Sequence, residues 1–321
     1  MLDYLSEAPA SVAGLRCVVL GAAGFLGRRL SSTLCELGAG VEGFGHGPRD
    51  GAPLDERVRW HEADVSDRRA LRSVLDGADV VFHLLGRPVR DVERAVDGAA
   101  FEDDGGTNAL LDACVQARVG KVIFASSGGA VYGNPAAIPT PEGVPAAPVS
   151  AYGAACVAIE RQLERYHRRH GLAYQALRVA NAYGPGQSPF RGRGVVAATV
   201  FRALAGRPIE IWGSARTMRD FVHVDDVCAA FAQVAVYAGD ERVMNVGSGH
   251  GRTLAELVAD VKQVLELPGA QVVARPARAL DLPVSVLDTA LIARSIRWRA
   301  RVPWLDGLAG TARWQRTAYA L

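Results

Sequence analysis

Two short stretches carry residue types that can do chemistry. The first, "GAAGFLG", sets Gly21, Gly24 and Gly27 three apart. It follows the β-branched run "RCVVLGA" and opens the helical stretch "GRRLSSTLCELG". Glycines so placed allow a tight turn, close approach of the backbone to a pyrophosphate, and tight packing of helix on strand. The amides at the helix N-terminus, with its partial positive charge, then hold phosphate oxygens. Glycines serve packing alone in many strand–helix turns. On the first strand of an alternating series they point to a dinucleotide, held by Gly21, Gly24, Phe25, Leu26 and Gly27. The second stretch is "SAYGAACVAIE", residues 150–160. Tyr152 opens a helix there, and Cys156, four residues on, faces the same way. A phenol can take and return a proton. Its ordinary pKa of about 10 makes it a poor base near neutrality unless a cation lies close by.

Such residues need a frame. The runs "RCVVLGA", "VEGFG" (41–45), "VRWHEADV" (58–65), "ADVVFHLL" (78–85), "GKVIFASS" (120–127) and "AYQALRVANAYG" (173–184) read as strands. Amphipathic stretches separate them, among them "DRRALRSVL" and "GTNALLDACVQARV". Near-continuous apolar strands alternating with helices predict an α/β fold, a doubly wound parallel sheet covered on both faces. His83 lies inside an apolar strand and reads as a core histidine. The second half is less regular: "YGPGQSPFRGRG" (183–194) is a loop by composition. A helix at 195–206, a strand "PIEIWG" and "RDFVHVDDVCAAFAQV" follow. The tail shows one clear helix, "TLAELVADVKQVLEL", and an Arg- and Trp-containing end. The expected division is a dinucleotide-binding domain at 15–182, also receiving about 216–247. A smaller lobe takes 183–215 and 248–321.

Composition narrows the function classes. At 321 residues, with 36 basic against 34 acidic groups, the chain has no electrostatic footprint for nucleic acid or a membrane surface. Only Lys121 and Lys262 are lysines; every other basic residue is arginine. No apolar run reaches the length of a membrane span, and no basic region followed by an apolar stretch opens the chain, so neither span nor signal peptide is expected. The cysteines at 17, 35, 114, 156 and 228 form no CxxC and have no histidine at metal spacing. They read as reduced thiols of a cytoplasmic protein, with no metal site.

The rest of a dinucleotide site can be placed on this frame. An acidic residue about 20 positions beyond the glycine turn ordinarily grips a ribose hydroxyl and selects NAD. The second strand instead ends in "GFGHGPRD", with His46 and Arg49 where an acid would sit. Arg49 suits a 2′-phosphate or is a solvated loop residue, so NAD and NADP both stay open. Asp64 and Val65, ending "EADV", fall where an adenine edge rests. Leu84 and Leu85 end the fourth strand on the nicotinamide side.

With "IFASSGGAVYG", "YGAACVAIE", "LRVANAYGPGQ" and "RDFVHVDDV" added to "GAAGFLG", the chain resembles, over nearly its whole length, the extended short-chain dehydrogenases that modify nucleotide sugars. That group includes UDP-galactose 4-epimerase and the deoxysugar 4-ketoreductases. The resemblance implies NAD(P)-dependent hydride transfer at a sugar carbon, most often C4. It gives Tyr152 the proton of a sugar hydroxyl and Ser127, with Ser126 beside it, the hydrogen bond to the same oxygen. Asn181, Arg219 and Arg278 would meet the substrate diphosphate, an arginine fork donating in parallel to two phosphate oxygens. It also implies a homodimer through the helices of "GTNALLDAC" and "YGAACVAIERQL". Two positions depart from the pattern. The lysine four after the tyrosine is Cys156, and the asparagine three before Gly-Thr is Asp103. Cys156 reads as a small buried filler, as a substitute acid or nucleophile with a lowered pKa, or as the mark of a non-redox homologue that still binds nucleotides.

Overall fold

Buried on both faces, the apolar runs of the first half have only backbone hydrogen bonds to a neighbouring strand as a place for their amides and carbonyls. In the computed structural model, which describes residues 11–47, 54–85, 106–190, 194–277 and 282–321, they form one sheet. Its strands are β1 (Arg16–Leu20), β2 (Gly40–Gly45), β3 (Arg59–Glu62), β4 (Val80–His83), β5 (Lys121–Ser127) and β6 (Ala173–Val179), with the strand Val243–Val246 at one edge. The order is that edge strand, then β6, β5, β4, β1, β2, β3. β1 pairs in parallel with β2 and β4, β2 with β3, and β4 with β5. The order reverses beside β1, the switch point at which doubly wound sheets bind ligands. Residues 17–20 of β1 are fully buried, as are Val81 and Phe82 of β4.

Local chemistry sets the helices. Asp67 caps α2 (Arg68–Leu75), accepting from the amides of Arg69 and Ala70 at 3.0 Å each. The long helix Ala151–His170 starts at Ser150, whose hydroxyl accepts from Gly153, and stops at Gly171 in the left-handed region. Four basic or imidazole side chains fill its last turn, where the helix dipole favours them.

The chain groups into two compact units. The first holds residues up to Val131, Pro148–Arg178 and Cys228–Met244; the second holds Tyr132–Ala147, Val179–Val227 and Asn245–Leu321. In the second, the strand Met218–His223 pairs in parallel with Asn181–Tyr183 and Val284–Ser285, and antiparallel with Gly251–Thr253. Helices Val195–Leu204, Leu254–Val264 and Trp304–Tyr319 contribute to a core containing Tyr183, Val200, Phe221, Leu257 and Leu308. A capping box between Thr253 and Glu256 starts the middle one of these.

Two sequence expectations change. The single strand read at 173–184 divides: β6 stays in the large sheet, and Asn181–Tyr183 joins the small one. The tail, read with one clear helix, holds another in its Arg- and Trp-containing end, where residues 304–319 form a helix of 16 residues. Gly307 within it disguises the pattern, yet a β-carbon there would strike the Tyr183 hydroxyl.

Candidate functional site

The first unit builds its site at the ends of β1, β2 and β4. β1 stops at Leu20, and Gly21 turns the chain at φ +83°. Its amide donates to the Phe44 carbonyl of β2 at 2.8 Å, while the Leu84 amide donates to Leu20 at 3.1 Å. A β-carbon on Gly21 would lie 3.1 Å from the Leu84 carbonyl oxygen. One on Gly27 would press on the Gly21 carbonyl and lie 2.7 Å from the Ala22 Cα. Both positions therefore require glycine. α1 (Phe25–Glu36) opens behind Gly24, which offers no side-chain cap, so its first-turn amides face outward for a ligand. The cradle fits a pyrophosphate. Phe25, Leu26, Leu84 and Leu85 are all half-buried around it.

Beyond the turn, β2 ends at Gly45 opposite Glu62 of β3, and the Ala63 amide donates to the Gly45 carbonyl at 3.2 Å. That register brings His46 to Asp64, with Nε2 and Oδ2 3.0 Å apart. The other Asp64 oxygen accepts the Ser66 amide at 2.8 Å. Hydrogen bonds from Ser66, then from His46, hold the Asp64 carboxyl below its ordinary range. Val65 follows on the same loop. Arg49, like Asp103 and Arg278, lies outside the described residues.

Successive residues of a strand point to opposite faces, and β5 ends in two serines with different fates. Ser126 is buried, and its hydroxyl donates to Glu160 of the long helix at 2.5 Å. Arg178 of β6 closes on the same carboxylate, Nη2 at 2.7 Å and Nε at 3.1 Å. This buried fork clamps the helix to the sheet. Ser126 is thus committed to it, while Ser127 on the opposite face is half-buried at the strand end. At the start of the long helix, a β-carbon on Gly153 would meet the Ala130 carbonyl and lie 2.9 Å from Pro148 Cβ. That close approach brings Tyr152's end of the helix against the segment following Ser127. Tyr152 is half-buried and Cys156 only 3% exposed.

No lysine stands in for the missing one. Lys121 begins β5, six residues and roughly 20 Å from Ser127. Its ammonium donates to the carbonyls of Val234, Ala235 and Tyr237 at 3.1, 3.1 and 2.5 Å, closing the end of the helix Val224–Ala235. Lys262 reaches the Pro268 carbonyl past its own helix end, at 3.4 Å. The charge of Arg178 is matched by Glu160.

In the second unit, Asn181 pairs with Phe221 across adjacent strands, and Arg219 lies two residues from Phe221 on the same face. The two expected phosphate ligands therefore stand about 8 Å apart at the backbone. Asn181 Nδ2 donates to the Asp220 carbonyl at 3.1 Å, and Arg219 Nη1 to that of Met218 at 2.9 Å. Asp220 points the other way and is fully buried. Its carboxylate accepts the Ser248 amide and hydroxyl at 2.8 and 2.6 Å and the Gly249 amide at 3.1 Å. Sequence reasoning overlooked Glu160, Gly153 and Asp220; all three stood inside the motifs "YGAACVAIE" and "RDFVHVDDV". Among the described residues, no His, Cys, Asp and Glu cluster could hold a metal, and no helix is long and apolar enough to cross a membrane.

Comparison with known proteins gives consistent findings. Residues 17–247 match the model of the NAD dependent epimerase/dehydratase family. UDP-glucose 4-epimerase of Mycolicibacterium smegmatis is 34% identical over 94% of this chain and 99% of its own length. dTDP-glucose 4,6-dehydratase of an Actinoplanes species is 28% identical over 94% and 98%. Among solved structures, UDP-glucose 4-epimerase of Thermotoga maritima with UDP-glucose superposes with TM-score 0.86 at 32% identity, covering 95% of this chain and 100% of the other. The Thermus thermophilus UDP-glucose 4-epimerase in complex with NAD gives 0.84 at 30% identity, covering 94% and 99%.

Proposed function

The chain belongs to the NAD dependent epimerase/dehydratase family, and from that premise we propose that it modifies a nucleotide sugar by NAD(P)-dependent hydride transfer, at C4, as an epimerase or a 4-ketoreductase. The observation that carries this reading is the glycine turn, closed to a β-carbon at Gly21 and Gly27 and set at the switch point of the sheet. The glycine turn would hold the pyrophosphate, Asp64 and Val65 the adenine edge, and Leu84 and Leu85 the nicotinamide side. When bound, the nicotinamide supplies the acceptor and donor of the hydride. Tyr152 takes the proton of the sugar hydroxyl and returns it, and Ser127 donates a hydrogen bond to the same oxygen. Asn181, Arg219 and Arg278 hold the diphosphate.

The same reading assigns 15–182 and about 216–247 to the dinucleotide and the remaining C-terminal segments to the sugar nucleotide. A homodimer forms through the helices Gly106–Gln116 and Ala151–His170, which light scattering at micromolar concentration tests; a monomer rejects it. Cysteine usage supports a cytoplasmic location. The named relatives, aligned end to end, favour the redox reading over a silent nucleotide-binding homologue. The deciding experiment incubates the protein with UDP- and dTDP-hexoses and NAD or NADP, following epimer, reduced product and cofactor absorbance. Cofactor binding with no turnover of any of these sugars would refute it.

A further inference from the structure

A family-type dinucleotide site of this build uses an acid at the end of β2 to accept a hydrogen bond from the adenosine ribose 2′-hydroxyl. Here the first residue past β2 is His46, and it is well exposed, as is Asp64 beside it. Gly45, just before it, abuts the glycine turn: a β-carbon there would lie 3.7 Å from the Gly21 nitrogen. His46 is the first side chain past that contact, and it is paired with Asp64 at 3.0 Å.

The hydrogen bond to Asp64 decides what the ring can do. A carboxylate accepts only, so Nε2 carries the proton when the ring is neutral, and Nδ1 is left with its lone pair for a ligand. Asp64 stays ionised through the working range, because Ser66 and His46 donate to it. Two other charged groups bear on this corner. Glu62 ends β3 and its carboxylate accepts the Gly47 amide at 3.4 Å. Glu42 lies back along β2, where His61, Arg16 and Arg59 surround it.

We propose that His46, oriented by Asp64, replaces the missing acid at the ribose 2′ position and makes the choice between NAD and NADP depend on pH. With the ring neutral, Nδ1 accepts the 2′-hydroxyl of NAD, as a carboxylate would, and offers nothing to a phosphate. With the ring protonated, Nδ1–H becomes a donor, the acceptor is gone, and a 2′-phosphate gains a charge-assisted hydrogen bond. The preference for NAD thus belongs to neutral and alkaline solution and fades on acidification. This rests on the dinucleotide reading of the glycine turn.

The test is calorimetric titration of the full chain with NAD and with NADP at about pH 8 and about pH 5.5. The native ratio of NADP to NAD dissociation constants should fall by about tenfold on going to acid, the equivalent of one hydrogen bond. His46→Gln, which keeps an acceptor and does not titrate, should lose this dependence. Any titration of the 2′-phosphate itself is common to both proteins. His46→Asp should prefer NAD throughout. A native ratio that matches His46→Gln at both pH values overturns the proposal alone. Absence of binding by either dinucleotide removes the reading beneath it, and the proposal with it.

Discussion

Placing a lysine at position 156 asks the helix to supply the positive charge that its sequence omits. Residues four apart on one helix face have their β-carbons about 5–6 Å apart. Taking a similar separation between an ammonium and a Tyr152 phenolate, and an effective dielectric of about 20, the attraction is about 3 kcal/mol. That lowers the phenol pKa by about two units and raises its ionised fraction near neutrality about 100-fold. Proton transfer gains only part of this, so Cys156→Lys should turn over nucleotide sugar about 10- to 100-fold faster than the native chain at neutral pH. The advantage should vanish at alkaline pH. Cys156 is 3% exposed, so the longer side chain carries a packing cost of about 1–3 kcal/mol. Cys156→Met brings similar length without charge and separates the two effects. The assay is the pH profile of kcat for native, Lys and Met forms, with thermal midpoints measured alongside. If the Lys form is no faster than the Met form near neutrality, the electrostatic argument fails. A robust native rate that collapses in Cys156→Ala would mean that the thiol itself works.

Three further outcomes follow from the packing. Gly27→Ala forces a β-carbon onto the Gly21 carbonyl, so NAD affinity should fall at least tenfold by calorimetry. Arg178→Met leaves the Glu160 carboxylate buried without its cation and should cost about 3–5 kcal/mol in urea unfolding. Burial, with Arg242 nearby, pushes the Lys121 ammonium down to about 8 from 10.5. The folded chain then releases this proton before the unfolded one does. Stability relative to Lys121→Met should therefore rise between about pH 8 and pH 10.5, measured by denaturant midpoints, and a fall over that window would refute the assignment.

Most of the large sheet was legible because β1, β4, β5 and β6 are apolar runs, and the glycine turn because nothing else fits that strand–helix corner. The edge strand Val243–Val246 was missed, four residues with no helix of their own to mark a strand–helix unit. The division of 173–184 between two sheets was not. Ala180 carries no turn chemistry, and the apolar run passes straight through it. Glu160 and Arg178 stand 18 residues apart on different elements, so no local spacing reveals their pairing. The link between His46 and Asp64 depends on the register that sets Gly45 against Glu62, a fact of the folded sheet. The tyrosine–cysteine spacing was plain from the start, because helical geometry alone puts positions four apart on one face.

The interleaving of the two units has a consequence for synthesis on the ribosome. The chain passes from one unit to the other after residues 131, 147, 178, 227 and 244. An emerging chain can therefore assemble β1 to β6 before the second unit has most of its length. The sheet's last strand, Val243–Val246, is added at an edge, so it can dock late without breaking a pairing already made. The small sheet has no such freedom. Its central strand waits for Gly251–Thr253 and Val284–Ser285, and its core waits for the helix that ends at Tyr319. Vectorial folding should thus yield a nascent chain with the large sheet formed first, and the small sheet open until the helix Trp304–Tyr319 has emerged.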